Sequence, residues 1–217
     1  MTRSAWIAGA TGMVGSHLVD ALLEGTAFDA VVTLGRRPLD RSHPKLTQAT
    51  VDFAAIDPAS LPPVTDAFCA LGTTIKKAGS REAFRAVDHD AVLAFARAAK
   101  ARGASRFYVV TALGADAGSL VFYNRVKGET EEALRAMGFE ALAIARPSLL
   151  VGERAESRPG ERLAIALTGA LKPLLKPFAS RPIEGAVVAR ALRAIADAPP
   201  SGARVYLSGE LQTLGGG

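Results

Sequence analysis

The glycine-rich turn at residues 9–15 constrains the fold of this 217-residue chain more than any other feature. It reads Gly-Ala-Thr-Gly-Met-Val-Gly and lies between an apolar run of strand length and an amphipathic helical pattern. In such a unit Gly9 permits the tight turn, Gly12 lets a pyrophosphate approach the backbone, and Gly15 lets the helix pack closely on the strand. The helix N-terminus adds N–H donors and a positive dipole end. The expected dinucleotide contacts are Gly9, Thr11, Gly12, Met13, Val14 and Gly15; the alternative is a loop that uses glycine for turn geometry alone.

Apolar runs of strand length alternate with helical patterns along most of the chain, which indicates a parallel sheet covered on both faces. The predicted strands are residues 5–8, 30–34, 47–51, 67–71, 106–111, 140–145 and 204–207. The predicted helices are residues 13–23, 80–102, 120–137 and 184–196, with Ser80 and Gly103 capping the second. We expect an α/β fold with a doubly wound parallel sheet, a Rossmann fold, in a single domain spanning residues 1–217.

The region after Pro147 departs from this alternation. Residues 152–160 are charged and rich in Gly and Pro, which predicts a loop, and an amphipathic helical stretch follows to about residue 175. We expect residues 148–183 to form a small substrate-side segment, or lid, of the same domain. The tail, residues 215–217, is predicted to fray.

Composition excludes several function classes. The chain has one cysteine, Cys69, so an intramolecular disulfide and a zinc site built on several thiolates are impossible. The three histidines fit no ligand-spaced motif, so we expect no metal site. The net charge of +5 comes mostly from scattered arginines, without the basic and aromatic stripe that indicates nucleic acid. The chain has no apolar run of about 18 residues, so no membrane span is predicted. A single cysteine suits a reducing compartment, so we expect a cytoplasmic protein.

The end of the second predicted strand indicates which dinucleotide binds. An NAD site usually carries an acidic residue there, which holds the ribose 2′-hydroxyl. Here residues 33–37 read Thr-Leu-Gly-Arg-Arg, and no acid occurs until Asp40. Arg36 and Arg37 can hold a 2′-phosphate by charge-assisted hydrogen bonds, which predicts a preference for NADP(H) of roughly 10- to 100-fold, with NAD(H) still possible. The alternative is that both arginines only form a solvated strand end.

Further short motifs are spread over nearly the whole chain. Besides the glycine turn they are residues 34–37 (Leu-Gly-Arg-Arg), 71–74 (Leu-Gly-Thr-Thr), 87–88 (Val-Asp), Tyr123 with Lys127, 146–147 (Arg-Pro) and 156–161 (Glu-Ser-Arg-Pro-Gly-Glu). In these motifs the chain resembles the short-chain dehydrogenase/reductase superfamily, in its atypical or extended branch. It resembles more closely the oxidoreductases of the Tat-interacting-protein type. The resemblance implies an NAD(P)-binding Rossmann protein.

Tyr123 and Lys127 lie four residues apart, on one face of a predicted helix. The resemblance implies that the Tyr123 hydroxyl exchanges a proton with the substrate oxygen, and that Lys127 favours the phenolate or holds the cofactor ribose. It also implies a catalytic hydroxyl just after the fifth strand. Thr111 is the candidate for that role, although Ala112 stands where a second hydroxyl often occurs. Asp88 occupies a place where many relatives have asparagine.

The remaining cofactor contacts are expected at the carboxyl edge of the sheet, where open α/β sheets bind their ligands. The resemblance implies Asp52 and Phe53 near the adenine, Leu71, Gly72 and Thr73 near the nicotinamide half, and Lys127 and Pro147 beside them. From their residues alone, these segments could equally be ordinary strand-end turns.

Two function classes remain open after these observations. The first is an NADP(H)-dependent oxidoreductase that transfers hydride to or from a small carbonyl or alcohol substrate. The second is a non-catalytic NADPH-binding redox sensor acting through a protein partner, which Ala112 and Asp88 favour. An isomerase or epimerase shares the catalytic groups, but only 70 residues follow Pro147, too few for a large nucleotide-sugar pocket. Both a monomer and a homodimer remain possible.

Overall fold

Parallel strand pairing organises the residues that this computed structural model describes, which are 3–152 and 181–216. The strands are β1 (Ser4–Ala8), β2 (Ala30–Gly35), β3 (Leu46–Thr50), β4 (Asp66–Cys69), β5 (Arg106–Val110), β6 (Ala141–Arg146), β7 (Leu150–Val151), β8 (Ile183–Glu184) and β9 (Gly202–Leu207). Within this part of the chain, seven strands form one sheet in the order β3-β2-β1-β4-β5-β6-β9, with every neighbouring pair parallel. β7 pairs separately with β8. The predicted α/β fold with a doubly wound sheet is therefore confirmed.

Helices cover both faces of this sheet. They are α1 (Gly15–Glu24), α2 (Ile75–Ala78), α3 (Arg81–Arg85), α4 (Ala91–Ala101), α5 (Phe122–Ala136), α6 (Gly185–Asp197) and α7 (Ser208–Gly215). Apolar side chains of α1 and α6 pack in one core, and those of α4 pack with Leu134 of α5 in the other. Among the helices of the described residues, none combines the length and apolarity that a membrane span requires.

The strand order reverses at β1. The chain runs outwards from β1 to β3 on one side, and from β4 to β9 on the other. Ala8 at the end of β1 lies opposite Cys69 at the end of β4, so the segments that follow these two strands leave the sheet side by side. A ligand crevice forms at such a point in open α/β sheets. This edge is where the sequence predicts the dinucleotide site.

The helix predicted for residues 80–102 is interrupted by one π-helical turn. The turn covers Ala86–Asp90 between α3 and α4, and the Ala91 N–H donates to the carbonyl of Ala86. Its ends match the prediction, because Ser80 accepts the Ala83 N–H and Gly103 adopts a φ of +99° just after the helix. Apolar periodicity could not predict the π-helical turn. One inserted residue rotates the side chains that follow it about the helix axis but leaves the residue types unchanged. Such turns are frequently found at functional sites.

The chain end is more ordered than the sequence predicts. Of the tail predicted to fray, residues 215–217, Gly215 ends α7, in which Leu211 and Gly215 are buried; Gly216 follows the helix, and residue 217 lies outside the described residues. A Cβ at Gly215 would lie 1.9 Å from the carbonyl oxygen of Val187, so α7 rests directly on α6. The prediction was wrong because it took the glycines as chain-end flexibility, whereas at Gly215 the missing side chain allows close helix packing.

Residues 153–180 lie outside the described residues. They include most of the loop at residues 152–160, the amphipathic stretch to about residue 175 and the motif at residues 156–161. The single domain with a substrate-side segment at residues 148–183 therefore stays a prediction. β7 and β8, which pair in parallel on either side of this stretch, are the described parts of that segment.

Candidate dinucleotide site and catalytic residues

The glycine turn joins β1 to α1 at the carboxyl edge of the sheet. Gly9 has a φ of +87°, and a Cβ there would lie 2.5 Å from the carbonyl of Ala70, just beyond β4. A Cβ at Gly15 would lie 2.0 Å from the carbonyl oxygen of Gly9, and the Gly12 N–H donates to that same oxygen at 2.9 Å. Any side chain at position 9 or 15 would force the turn open. The predicted tight turn is present, and Gly15 packs against the turn rather than against the strand.

A groove extends from this turn along the ends of β1, β2 and β4. Among the residues lining it are Gly9, Thr11, Arg36, Arg37, Phe53 and Leu71. The structure thus brings together residues from four segments that the sequence assigns to cofactor binding. Asp52 is not part of the lining, because its carboxylate accepts the Ala54 N–H at 2.9 Å and closes its own turn.

Arg36 and Arg37 follow β2, and both side chains are exposed. Among the described residues, neither is joined to a carboxylate by an ion pair. The loop after them is held by the Gln48 side chain, whose amide nitrogen donates to the carbonyl of Arg41 at 2.8 Å and whose oxygen accepts the Leu39 N–H at 2.5 Å. Within residues 3–152 and 181–216, the two guanidinium groups therefore line the groove without an ion-pair partner.

The segment after β4 connects the groove to a buried ion pair. The Thr73 N–H donates to Oδ2 of Asp88 at 2.9 Å, and Oδ1 of Asp88 lies 2.7 Å from Nζ of Lys127. Gly72 is exposed above this pair, and a Cβ there would lie 3.4 Å from Oδ1 of Asp88 and 3.7 Å from Nζ of Lys127. A side chain at position 72 would therefore touch this pair, and we call the side-chain-free position above it the Gly72 window.

Lys127 carries its charge although its side chain is almost fully buried. Burial has the largest single effect and disfavours the ammonium, but Asp88 and the other groups around it together raise the pKa of Lys127 above its ordinary value. Tyr123 on the same helix and Cys69 at the end of β4 also favour the charged form. Lys127 therefore acts as a fixed cation and not as a proton donor near neutral pH.

Tyr123 lies one helical turn before Lys127 at the start of α5. Its ring is half-buried and packs on Phe84 of α3, with the ring centroids 5.3 Å apart. Among the described residues, no hydrogen bond engages its hydroxyl. The phenol therefore lies close to the cation along the helix and has a hydroxyl that remains available to a ligand.

Thr111 lies at the end of β5, where its hydroxyl is buried. It donates to Oε1 of Glu131 at 2.7 Å, and Glu131 also receives Nε and Nη2 of Arg146 at 2.9 and 2.6 Å. Hydrogen bonding to Glu131 raises the pKa of Arg146. The Thr111 hydroxyl therefore donates its hydrogen bond to a carboxylate of the same chain. Pro147, next to Arg146, accepts the Leu113 N–H at 2.9 Å and so joins the loops after β5 and β6.

Two participants were missed or only partly anticipated from the sequence. Glu131 was not singled out, and Asp88 was noted only as a replacement for asparagine. The spacing of Glu131 could have indicated it. Glu131 follows Lys127 by four residues, so both charged side chains lie on the buried face of α5. Buried charges require partners, which makes such a pair a marker of a polar network.

These residues fit a bound dinucleotide. The turn has no room for side chains at Gly9 and Gly15 but leaves a groove beside it, and the Gly72 window opens on a buried cation. A ligand that reached from Arg36 to Lys127 would cross the carboxyl ends of β2, β1 and β4. A long ligand fits such a path across the strand ends.

Comparisons with known proteins agree with this geometry. The protein fmp52, mitochondrial, of Emericella nidulans is 39% identical over 171 residues, which are 75% of this chain and 73% of that protein. Protein HTATIP2 of Rattus norvegicus is 38% identical over 176 residues, which are 78% of this chain and 72% of that protein. The match to HTATIP2 and the family profile described below confirm the predicted resemblance at the level of an NAD(P)-binding protein.

The solved structures support the fold at low identity. MoeE5 in complex with UDP-glucose and NAD superposes with a TM-score of 0.70 at 20% identity, covering 97% of this chain and 80% of that one. DesIV, a dTDP-glucose 4,6-dehydratase from Streptomyces venezuelae with NAD and TYD bound, gives a TM-score of 0.71 at 18% identity, covering 94% and 74%. At this identity the likeness shows a common Rossmann fold.

The cytoplasmic location predicted from the sequence is contradicted. The fmp52 relatives from Emericella nidulans, Aspergillus fumigatus and Eremothecium gossypii are all named mitochondrial. The prediction rested on a single buried cysteine, Cys69, and a reducing environment is not unique to the cytoplasm. Cysteine content therefore could not distinguish between these compartments.

A family profile matches most of the chain. The profile described as NAD(P)H-binding matches residues 9–199, which begin at Gly9 of the glycine turn and extend beyond α6. The matched range contains the groove, the Gly72 window and the pair of Lys127 with Asp88. This chain belongs to the NAD(P)H-binding family.

Proposed function

We propose that this protein is an NADP(H)-dependent oxidoreductase that transfers hydride to or from a small carbonyl or alcohol substrate. One observation carries the proposal: Tyr123, whose hydroxyl makes no hydrogen bond within the described residues, lies one helical turn from the buried cation Lys127. A proton donor next to a fixed cation is the arrangement that a carbonyl reduction needs at its oxygen.

The groove would hold the dinucleotide in an extended form. N–H groups of the glycine turn would bind the pyrophosphate, from Gly9 through Gly15, and Arg36 with Arg37 would hold a 2′-phosphate. Leu71, Gly72 and Thr73 would lie beside the nicotinamide half. When bound, the cofactor supplies or accepts the hydride.

Protein groups handle the proton. The Tyr123 hydroxyl gives a proton to the substrate oxygen during reduction and takes one back during oxidation. The Gly72 window would let the ammonium of Lys127 hold a hydroxyl of the cofactor ribose.

A pair of matched tyrosine variants tests the proposal. Tyr123→Phe should lower NADPH-dependent turnover of a panel of small aldehydes and ketones by about 10²- to 10⁴-fold, because it removes only the transferable proton. Its NADPH affinity, measured by calorimetry, should stay unchanged. Tyr206→Phe makes the same change on β9, at the far edge of the sheet, and should leave both quantities unaltered. Equal turnover of Tyr123→Phe and wild type would refute the assignment.

A second candidate function is a non-catalytic NADPH-binding redox sensor that acts through a protein partner. The observation favouring it is that the Thr111 hydroxyl donates to Glu131, while Ala112 has no hydroxyl to replace it. Tight NADPH binding without turnover of any carbonyl or alcohol in the panel would select the sensor. Turnover that depends on Tyr123 would exclude it.

A further inference from the structure

Asp88 lies where the regular α-helical hydrogen-bond pattern is interrupted. It lies in the π-helical turn Ala86–Asp90, which interrupts the helix between α3 and α4. Its side chain is fully buried, and its backbone carbonyl accepts the Thr130 hydroxyl of α5 at 3.1 Å. The turn therefore fixes a carboxylate between α5 and the segment after β4.

The two oxygens of this carboxylate serve two different elements of the site. Oδ1 contacts Nζ of Lys127 at 2.7 Å, and Oδ2 accepts the Thr73 N–H at 2.9 Å. A single side chain thus fixes both the cation and the strand-end segment that carries the Gly72 window. An asparagine could accept the Thr73 N–H equally well, but it would not neutralise a buried ammonium.

We propose that Asp88 is a positioning residue that pairs directly with Lys127 and holds its ammonium under the Gly72 window, where it meets a hydroxyl-bearing ligand. This role rests on the dinucleotide binding proposed above and adds a residue to it.

The groups that face the Lys127 ammonium from its neighbouring elements are Asp88 of the π turn, Tyr123 of α5 and Cys69 of β4. Asp88 is the group whose charge opposes the effect of burial most strongly. With an asparagine at position 88, burial would dominate, and Lys127 would lose its proton at a lower pH. A shift of about one pH unit or more is expected, since an opposite charge at this distance typically moves a pKa by 1–3 units.

The first test observes Lys127 directly and needs no substrate. In protein labelled with ¹⁵N-lysine, the Nζ signal is assigned with Lys127→Met, and its titration is followed in wild type, Asp88→Asn and Asp90→Asn. Asp90 lies in the same turn but is exposed, with His89 as its partner, so it is a matched control. We expect the titration to move down by about one unit or more only in Asp88→Asn. An unchanged titration in that variant would overturn the proposal.

The second test links the pair to the ligand. Calorimetry should show NADPH binding weakened by about 10-fold in Asp88→Asn and unchanged in Asp90→Asn, as expected for one misplaced charge-assisted contact. If wild type binds NADPH and Asp88→Asn binds it equally well, the positioning role is wrong while the proposed function stands. If wild type binds neither NADPH nor NADH, both proposals fail.

A measurement on wild type covers the case in which Asp88→Asn does not fold. Addition of NADPH should move the Lys127 Nζ signal, because the ligand reaches the ammonium through the Gly72 window. Saturating NADPH that leaves this signal in place would contradict the role assigned to Asp88. A purely structural ion pair would give that result.

Discussion

The two edges of the sheet each bury a carboxylate, but they surround it differently. At the amino edge, Asp66 begins β4 and is fully buried. Arg3 and Arg106 contact it at 2.7 and 3.3 Å, and the Tyr108 hydroxyl donates to it at 3.0 Å. Thr65 donates a further hydrogen bond at 2.7 Å. Protein groups fill the surroundings of this carboxylate from several sides.

At the carboxyl edge, Asp88 pairs with Lys127 and accepts the Thr73 N–H, and the exposed residue beside this pair is Gly72. The two edges thus differ in what surrounds a buried ion pair. A carboxylate saturated by its own chain stabilises the fold, whereas a pair with an open side can offer its cation to a ligand. The predictions below test whether stability and binding divide between the edges in this way.

The largest effect on stability is expected at the amino edge. Asp66→Ala should lower the free energy of unfolding by about 3 kcal/mol, because it leaves two arginines and a buried tyrosine hydroxyl without their acceptor. Urea unfolding followed by circular dichroism measures it. Asp197→Ala removes an exposed carboxylate that pairs with Arg193 on α6, and should change stability by less than about 1 kcal/mol. Similar values for the two variants would contradict a special role for Asp66.

A smaller effect on the free energy of unfolding is expected from substitution of Thr111. Thr111→Val keeps the shape but removes the hydroxyl that donates to Glu131, so it should lower the free energy of unfolding by about 1–2 kcal/mol. Thr111→Ser keeps the hydroxyl and should recover most of this loss. NADPH affinity should not change in either variant. A loss of turnover without any loss of stability would instead assign the hydroxyl to catalysis.

The smallest effect concerns Tyr108 and alkaline pH. Burial, followed by the charge of Asp66, raises the pKa of Tyr108, so the folded state keeps a proton that the unfolded state releases above pH ~10. Stability should therefore fall as the pH rises above that value. Tyr108→Phe should cost about 1 kcal/mol at pH 7 but show a shallower fall, by up to about 1.4 kcal/mol per pH unit. Parallel pH profiles for the two proteins would exclude this contribution from Tyr108.

The fold could be predicted from the sequence, and so could the place of the candidate site, because both predictions depend on local patterns. Alternating apolar runs specify a parallel sheet, and a glycine turn after the first strand specifies which edge binds a ligand. The turn at Gly9 follows from a conformation that few other residues adopt. These features require no knowledge of which side chains meet.

The polar pairs could not be predicted, because their members are far apart in the chain. Asp88 meets Lys127 only because a π-helical turn reorients the helix, and Glu131 meets Thr111 and Arg146 only after three elements have packed. Asp66 reads as one acid in an apolar strand until Arg3 and Arg106 are brought to it. Their identity depends on tertiary packing, which neither propensity nor periodicity records.

The central claim is that the carboxyl edge binds a dinucleotide and prefers NADP(H). Calorimetric titration with NADPH and with NADH, at one salt concentration, tests it in wild type and in Arg36→Ala/Arg37→Ala. We predict that wild type binds NADPH roughly 10- to 100-fold more tightly than NADH, and that the double variant loses this difference without losing stability. Equal affinities in wild type would contradict the role of the two arginines, and binding of neither nucleotide would contradict the site itself.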